Sequence, residues 1–287
     1  IMLGMMLLSR VIGGGMALAR AELTGPSLSK LRPKLKQTAF ALWGLYLFLT
    51  FFEFLLLYFT GAMDLFDSVN HALTTMPTGG FSTHDGSIGF YDSFLVESII
   101  LIFMFLGGVN FTLLWFIRDG DFKRAFGDEE FRNYVVYLTV AILAVFVALL
   151  ASGTSAGRAL RDSMFQVVSI GTSTGYTSTN YMDASWPLVT HLIIFVLMVV
   201  GASAGSTGGG LKLLRVTLAF KVSMRELVRI AQPRKVDQIR MNGEVVEHQQ
   251  ISLIVGMLIV WIGLFGISSI LLAIFMPGDS FESITTL

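Results

Sequence analysis

Two short segments of the chain are rich in glycine and hydroxyl side chains and carry no charged residue. The first loop, residues 77–82, reads PTGGFS, and the second loop, residues 172–178, reads TSTGYTS. Glycine at the tight point lets an extended backbone turn successive carbonyl groups toward one axis. Rings of carbonyl oxygens replace the hydration shell of a monovalent cation, whereas a divalent ion favours a site with carboxylates. These residue types therefore predict a site for monovalent cations.

Each loop ends a longer unit that occurs more than once. Residues 65–85 and 160–180 align without a gap at an offset of 95. A third copy begins in the same register at Asp279 and Ser280. The alternative is a chance likeness between turns that join ordinary spans, and the ungapped register argues against it. The matched pairs are Leu65 with Leu160, Asp67-Ser68 with Asp162-Ser163, and Gly80 with Gly175.

A short helix is predicted before each loop, over 65–76 and 160–171. The Asp-Ser pair suits the N-cap of such a helix, and Glu282 stands at capping-box spacing from Asp279 in the third copy. A helix of this length cannot cross a bilayer core of about 30 Å. The order of span, short helix, polar loop and span predicts a pore-loop unit, since irregular backbone at membrane depth must line a cavity or be buried in protein. The short helices should point their partially negative C-terminal ends at the pore.

Long apolar segments flank these units. Hydrophobic residues make up 54% of the 287 residues and charged residues only 14%, against about 25% charged in soluble domains. The composition therefore predicts an integral membrane protein. A net charge of zero gives no reason to expect a nucleic-acid partner, and the lack of cysteine excludes disulfides and thiolate sites. The predicted spans are about 1–19, 38–59, 93–117, 134–151, 187–201 and 251–276.

The charges predict the orientation of the spans. Three basic stretches, 20–36, 118–132 and 212–240, hold most of the 20 Lys and Arg residues. The alternate connections hold few. The positive-inside rule therefore places the basic stretches in the cytoplasm and the two cation-site loops toward the outside.

A third glycine-rich segment, the glycine loop at residues 201–210, reads GASAGSTGGG and interrupts an apolar run. A phosphate-binding Walker loop is excluded because Leu211 separates Gly210 from Lys212. A hinge or a helix-packing site of small residues is one interpretation. The other is a mobile gate under the cation site, and shortening 203–209 should then raise ion flux. The predicted gate residues are Gly205, Ser206, Thr207, Gly208, Gly209 and Gly210.

Two polar residues within predicted spans need an interpretation. For Glu53 we favour structural pairing or a snorkelled position over ion coordination, although intramembrane carboxylates are functional candidates by default. For Asn110 we expect an interhelical hydrogen bond rather than a role as a ligand. The four histidines show no metal spacing.

Four motifs carry a resemblance to a known family. They are GGMALARAELTGP (14–26), TGGFSTHDGSIGFYDS (78–93), STGYTSTN (173–180) and GASAGSTGGGLKLLRV (201–216). Together they resemble the Trk/Ktr/HKT superfamily of potassium transporters, and its TrkH-type branch most closely. The resemblance extends over essentially the whole chain.

The resemblance implies an all-α integral membrane fold of four membrane-pore-membrane repeats around one central pore. Residues 1–36 would be the end of the first repeat and a cytoplasmic linker, and residues 37–132 the second repeat. Residues 133–248 would be the third repeat and residues 249–287 the start of the fourth. Gly80 and Gly175 would be the filter glycines. The residues implied to supply lining carbonyls are Thr78, Gly79, Phe81, Ser173, Thr174 and Tyr176.

The resemblance also implies a function and partners. The chain would belong to a multi-pass potassium uptake protein of the cell inner membrane, with the potassium ion as substrate and no cofactor. It would form a homodimer among membrane lipids and bind a cytosolic TrkA-type nucleotide-binding subunit, with segment 212–240 as part of the contact. In related plant transporters a Ser for Gly in the first filter favours sodium, and that position lies outside this chain.

Three alternatives remain at this point. One is a two-pore-loop potassium channel subunit, which a third unit at 251–287 argues against. Another is a sodium- and potassium-permeable HKT-like transporter. A membrane enzyme that uses the glycine loop for phosphate ranks far below both, because the sequence offers no plausible nucleophile, base or metal set.

Overall fold

The computed structural model describes residues 35–183, 186–232, 238–246 and 248–275. Within these ranges the chain is helical apart from loops and one two-stranded hairpin. The predicted span at 1–19 and the third copy of the unit, with Asp279, Ser280 and Glu282, lie outside the described residues. Two compact units, Ile1–Leu214 and Arg215–Leu287, divide the chain.

The first unit opens with a long helix, a short helix and a loop. Helix α1 (Leu35–Phe59) is followed by α2 (Leu65–Thr75), which packs against it. After the first loop, a 3-10 turn at Ser87–Tyr91 leads into α3 (Phe94–Gly108). This is the predicted order of span, short helix, loop and span.

The segment predicted as one span over 93–117 is instead two helices. Helix α3 ends at Gly108, and α4 (Phe111–Arg118) leaves it at an angle of 106°. Val109 is extended, and Asn110 caps α4 by accepting a hydrogen bond from Thr112 N at 2.9 Å. The prediction that Asn110 bonds to another helix is therefore wrong. Two glycines followed by a capping residue allow the chain to break and restart.

The second copy has the same order as the first. After α5 (Phe122–Gly127), helix α6 (Glu129–Ala151) precedes α7 (Ala156–Gly171), the second loop and α8 (Leu188–Val200). Helix α7 packs against α6, α3 and α8 and supplies much of the core, with Phe165, Val167 and Ile170 buried. It starts at Ala156, four residues before the predicted start at 160.

The Asp-Ser pairs do not cap these short helices. Asp64 caps α2 by accepting a hydrogen bond from Asp67 N at 2.7 Å, which places Asp67 and Ser68 in the first turn. In the second copy Asp162 and Ser163 lie in the middle of α7, because that helix begins a turn and a half earlier. The N-cap prediction is therefore wrong for both described copies.

The unit from Arg215 onward contains most of α9 (Leu213–Ala231), a hairpin of β1 (Arg240–Met241) and β2 (Glu244–Val245), and α10 (His248–Phe275). The strands are antiparallel, with Arg240 opposite Val245. Asn242 and Gly243 both have positive φ, as the two-residue turns of tight hairpins require.

Three helical segments in the described part are long and apolar enough to cross a bilayer: Phe40–Phe59, Glu129–Ala151 and Gln250–Leu271. The bent pair α3–α4 makes a fourth if it counts as one span, and α8 is a shorter apolar helix. Many of their large apolar side chains are exposed, as in Phe48, Phe59 and Val147. Such surfaces are suited to lipid rather than water. The described residues thus have the predicted all-α membrane fold.

Candidate functional site

The first loop folds back on the C-terminal end of α2. The carbonyl oxygen of Thr74 accepts hydrogen bonds from both Gly79 N (2.8 Å) and Gly80 N (3.2 Å), and Thr78 N donates to Thr75 O at 2.8 Å. Thr78 and Gly80 have φ values of 56° and 65°. The turn therefore requires the left-handed region twice, and glycine occupies one of the two positions without steric cost.

The second loop makes the same bonds 95 residues later. Ser169 O accepts from Thr174 N (2.8 Å) and Gly175 N (3.2 Å), and Ser173 N donates to Ile170 O at 2.8 Å. The left-handed residues are again the equivalent ones, Ser173 and Gly175. The repeat found in the sequence is therefore also a repeat in hydrogen bonding.

A hydroxyl group near the end of each short helix contacts the loop behind it. Thr74 Oγ1 lies 2.9 Å from the carbonyl oxygen of Phe81, and Ser169 Oγ donates to that of Tyr176 at 2.7 Å. These two carbonyl groups are therefore engaged by their own helix. Sequence reasoning missed Thr74 and Ser169, although the offset of 95 that matches the glycines also aligns these two hydroxyl residues.

Three successive carbonyl groups in each loop accept no hydrogen bond from the described residues. Buried carbonyl groups are normally paired, and Thr78 and Thr174 are buried although Gly79 and Gly175 are exposed. A run of three unpaired carbonyl groups on each of two neighbouring loops is therefore unusual. The residues that carry them are Thr78, Gly79, Gly80, Ser173, Thr174 and Gly175.

The two loops approach each other closely. A Cβ atom added to Gly80 would lie 1.8 Å from Thr174 O, so only glycine fits there. The Tyr176 hydroxyl reaches the first copy of the repeat, where it lies 2.6 Å from Thr74 Oγ1 and donates to His71 O at 3.3 Å. Burial raises the pKa of Tyr176 to about 12, so it stays a neutral donor. The structure thus brings the predicted site residues of both copies together.

Polar residues hold the outer end of the first loop. The Asp67 carboxylate accepts hydrogen bonds from Thr83 Oγ1 (2.7 Å) and the Tyr91 hydroxyl (2.7 Å), and His84 Nε2 lies 3.1 Å from it. Partial burial alone would raise the pKa of Asp67, but the bonds from Thr83, Tyr91 and His84 outweigh it and lower that pKa overall. His71 lies beside this cluster, with Nε2 3.0 Å from Ser82 Oγ.

A separate ion pair joins the two copies. Arg161 on α7 forms a bidentate pair with Glu97 on α3, at 2.7 Å from Nε to Oε2 and 2.9 Å from Nη2 to Oε1. Glu97 is buried, and Asp92 lies 3.4 Å from the same guanidinium. Bidentate geometry of this kind fixes orientation as well as distance.

The glycine loop lies against both of the other loops. Thr207 Oγ1 sits between Met76 O and Gly107 O, at 2.8 and 2.9 Å, and Gly209 N donates to Ser173 Oγ. A Cβ atom on Gly208 would lie 2.7 Å from Thr172 O. The predicted gate residues are therefore in contact with the predicted cation-site residues.

The glycine loop packs against the break between α3 and α4. Gly107 O and Gly108 O, freed from helical bonding, accept from Thr207 N and Ser203 N at 3.1 Å each, and Phe111 N donates to Gly205 O at 3.1 Å. Two charged residues that sequence reasoning missed also bind this loop. Glu130 Oε1 accepts from Ala204 N at 2.5 Å, and Lys212 Nζ donates to Gly208 O.

Glu53 differs from its expected environment. Its side chain is fully buried on α1, so it does not snorkel. Neither carboxylate oxygen has a hydrogen-bond partner in the described part of the chain. The predicted structural pairing is thus not observed there.

Short helices that end in paired polar loops, held among apolar spans, define a membrane protein of the pore-loop class. The whole chain, residues 1–287, matches the family model for TrkH, described as a cation transport protein. The chain therefore belongs to the TrkH family of cation transport proteins. That match over the full chain does not favour the two-pore-loop channel alternative, and the family consists of transporters rather than enzymes.

Individual relatives agree with this assignment. The chain is 37% identical over 275 residues to the "Trk system potassium uptake protein TrkH" of Escherichia coli K12, which covers 94% of this chain and 56% of that protein. The TrkH of Halomonas elongata is 38% identical over 234 residues, covering 80% and 48% of the two chains.

A solved structure has the same fold. The crystal structure of the potassium transporter TrkH from Vibrio parahaemolyticus aligns with a TM-score of 0.82 at 32% identity, covering 94% of this chain and 58% of that one. The chain spans about half the length of the relatives that it matches.

Proposed function

We propose that this chain forms part of the conduction path of a potassium uptake transporter, in which the first and second loops are two strands of the selectivity filter. The observation that carries the proposal is the set of six unpaired carbonyl groups in two adjacent loops without charged side chains. Carbonyl oxygens of this kind replace the water around a monovalent cation. The names of the relatives, which are potassium uptake proteins, support potassium as the ion.

The site residues divide into two groups under this proposal. Thr78, Gly79, Gly80, Ser173, Thr174 and Gly175 supply lining carbonyls. Phe81 and Tyr176, which the sequence also assigned to the lining, act as anchors because their carbonyl groups are engaged by Thr74 and Ser169.

Growth at low potassium tests this function. The full-length gene should restore growth to a host that lacks potassium uptake, and purified protein in liposomes should take up potassium or rubidium. Gly80→Ala should abolish both, because its Cβ would overlap Thr174 O. Gly44→Ala on α1 is the matched control, because no atom of the described residues outside its own helix backbone lies within 4 Å of its Cβ position. Normal uptake by an inserted Gly80→Ala protein would refute the filter assignment.

The glycine loop is proposed as the gate of this path. Its contacts with Met76, just before the first loop, and with Thr172 and Ser173 in the second loop support this proposal, because a loop at that position would obstruct ions. Shortening 203–209 should therefore raise the flux. A shortened protein that inserts normally and conducts like the parent would refute the gate.

The wider assembly follows from the family. We propose four membrane-pore-membrane repeats, of which 37–132 and 133–248 are two, in a multi-pass protein of the inner membrane that forms a homodimer. A cytosolic nucleotide-binding subunit of the TrkA type is the proposed regulator, with the basic segment 212–240 in the contact. Co-purification of that subunit with the parent, and its loss when the half-buried Arg225 and the exposed Arg229 are changed to Glu, would test the contact.

A further inference from the structure

Two buried charged side chains hold the glycine loop. Glu130 and Lys212 are each only 6% exposed. Glu130 Oε1 accepts the hydrogen bond from Ala204 N, near the start of the loop. Lys212 Nζ donates to Gly208 O and lies 3.4 Å from Ser206 O, in its second half. The loop is thus bound by a carboxylate at one end and an ammonium group at the other.

These bonds satisfy groups that have no secondary structure to pair with. Irregular backbone inside a membrane protein leaves N–H and C=O groups that must find partners other than water. Burying the carboxylate and the ammonium group is itself unfavourable unless they are well paired. Charged groups that form hydrogen bonds to the backbone are stronger partners than neutral ones. Both side chains are therefore placed where they stabilise this one loop conformation.

We propose that Glu130 and Lys212 are positioning residues that form a latch and keep the glycine loop in its obstructing conformation. The proposal rests on the gate function assigned above. It extends that function by naming the groups that set the balance between closed and open loop. Loss of either hydrogen-bonding group removes bonds that hold this conformation, so the open state gains population.

The position of Glu130 also gives the latch a connection to the cytoplasmic side. Glu130 lies in the first turn of α6, close to Asp128, whose side chain caps that helix by accepting from Phe131 N at 3.0 Å. The preceding helix α5 packs against α6. A partner that displaced the first turn of α6 would withdraw the Glu130 side chain from Ala204 N. The preceding segment 119–128, which contains α5, is therefore a route by which a cytoplasmic regulator opens the loop.

Two measurements on the full-length protein test the latch. The first is rubidium flux into liposomes for Glu130→Gln, Glu130→Ala and Lys212→Met. The second is the rate at which a thiol introduced by Ser203→Cys reacts with a membrane-impermeant reagent, in the parent and in each variant. Ser203 is 2% exposed. These 287 residues contain no cysteine, and any cysteine elsewhere in the full-length protein is first replaced by serine. Asp119→Asn, which removes a carboxylate from an exposed position before α5, is the matched control.

The latch predicts a parallel rise in both measurements. Glu130→Ala and Lys212→Met should raise the flux and the reactivity of the introduced thiol by about tenfold, and Glu130→Gln by less, since its amide oxygen still accepts from Ala204 N. Asp119→Asn should match the parent. Normally inserted variants with parental flux and parental reactivity would refute the latch and leave the cation path intact. A parent that carries no cation at all would refute the proposed function instead.

Discussion

The first and second loops share a backbone and differ in how they are anchored. Both fold onto a helix carbonyl that accepts two N–H groups, and both have left-handed residues at the same two positions. At the next position, however, Phe81 is 75% exposed whereas Tyr176 is fully buried against the first copy. The shared features are those that turn carbonyl groups out of the helix. The differences show that each copy is held by its own neighbours.

The acidic residues at matched positions show the same contrast. Asp67 binds the outer end of its loop through Thr83, Tyr91 and His84. Its counterpart Asp162 points instead to Arg158 in its own helix, at 3.5 Å. Identical residues at matched positions of a repeat therefore have different tasks, which a sequence alignment of the copies does not reveal.

The largest expected effect compares the two glycines. Gly80→Ala should be far more damaging than Gly175→Ala. The first places a Cβ 1.8 Å from Thr174 O. No described atom lies within 4 Å of the Cβ position at Gly175, where only the positive φ of 90° disfavours alanine. A left-handed alanine costs roughly 1–2 kcal/mol, and the overlap at Gly80 adds about 1–3 kcal/mol or more. Thermal unfolding in detergent measures both, and equal losses would contradict the asymmetry.

The next effect compares the two aspartates. At pH 7, Asp67→Asn should lower the stability of the outer loop by about 1.5–3 kcal/mol, the range for hydrogen bonds to a charged group. Asp162→Asn should be neutral or stabilising, because burial raises the pKa of Asp162 although Arg158 opposes it. Melting of the two variants beside the parent, with protease cleavage of the outer loop as a local readout, checks this. Greater damage from the change at Asp162 would refute it.

The same pair should respond to pH with opposite signs. The pKa of Asp67 is lowered in the folded protein, so its contribution is present above its unfolded pKa of about 3.9 and is lost as pH falls through the folded value. The pKa of Asp162 is raised, so its contribution is greatest below about 3.9 and decreases as pH rises through the folded value. The melting temperatures of both Asn variants and of the parent are compared from about pH 3 to pH 7. The difference between Asp67→Asn and the parent should decrease as the pH falls.

The smallest effect compares the two aromatic residues. Tyr176→Phe removes the hydroxyl that lies against Thr74 and His71, and should cost about 0.5–1.5 kcal/mol. It should also weaken the proposed preference for potassium over sodium, because the second loop loses its hydrogen bonds to the first copy. Phe81→Tyr, at an exposed position, is the control. Flux measured with potassium and sodium in competition tests the selectivity. Unchanged selectivity and stability in Tyr176→Phe would refute a role for these hydrogen bonds.

The sequence was sufficient for the features that repeat. Apolar segments indicated the spans, and the ungapped register indicated both loops with their glycines, because these depend on local backbone requirements. The start of α7 was missed because Ala156–Leu160 is not strongly apolar, so its helix was assigned only from Leu160 onward. The break at Val109 was missed since Gly107-Gly108 lies in an otherwise continuous apolar run.

The contacts between distant segments could not be predicted from the sequence. Glu130 stands in an acidic run that resembles a solvated turn, and only the fold brings it to Ala204, 74 residues away. Gly108 gave no signal of its own, yet a Cβ there would lie 2.3 Å from the Tyr134 hydroxyl and 2.8 Å from Thr172 Cγ2. Such requirements arise from packing between segments and have no local pattern.

The hydrogen bonds from Tyr176 to the first copy have a consequence for biosynthesis. A chain emerges from the ribosome in order, and its N-terminal parts fold first. Helix α2, with Thr74 and the carbonyl group of His71, is therefore synthesised before Tyr176. The second loop can settle only against a partner that is already present, so the earlier copy acts as a template for the later one during membrane assembly.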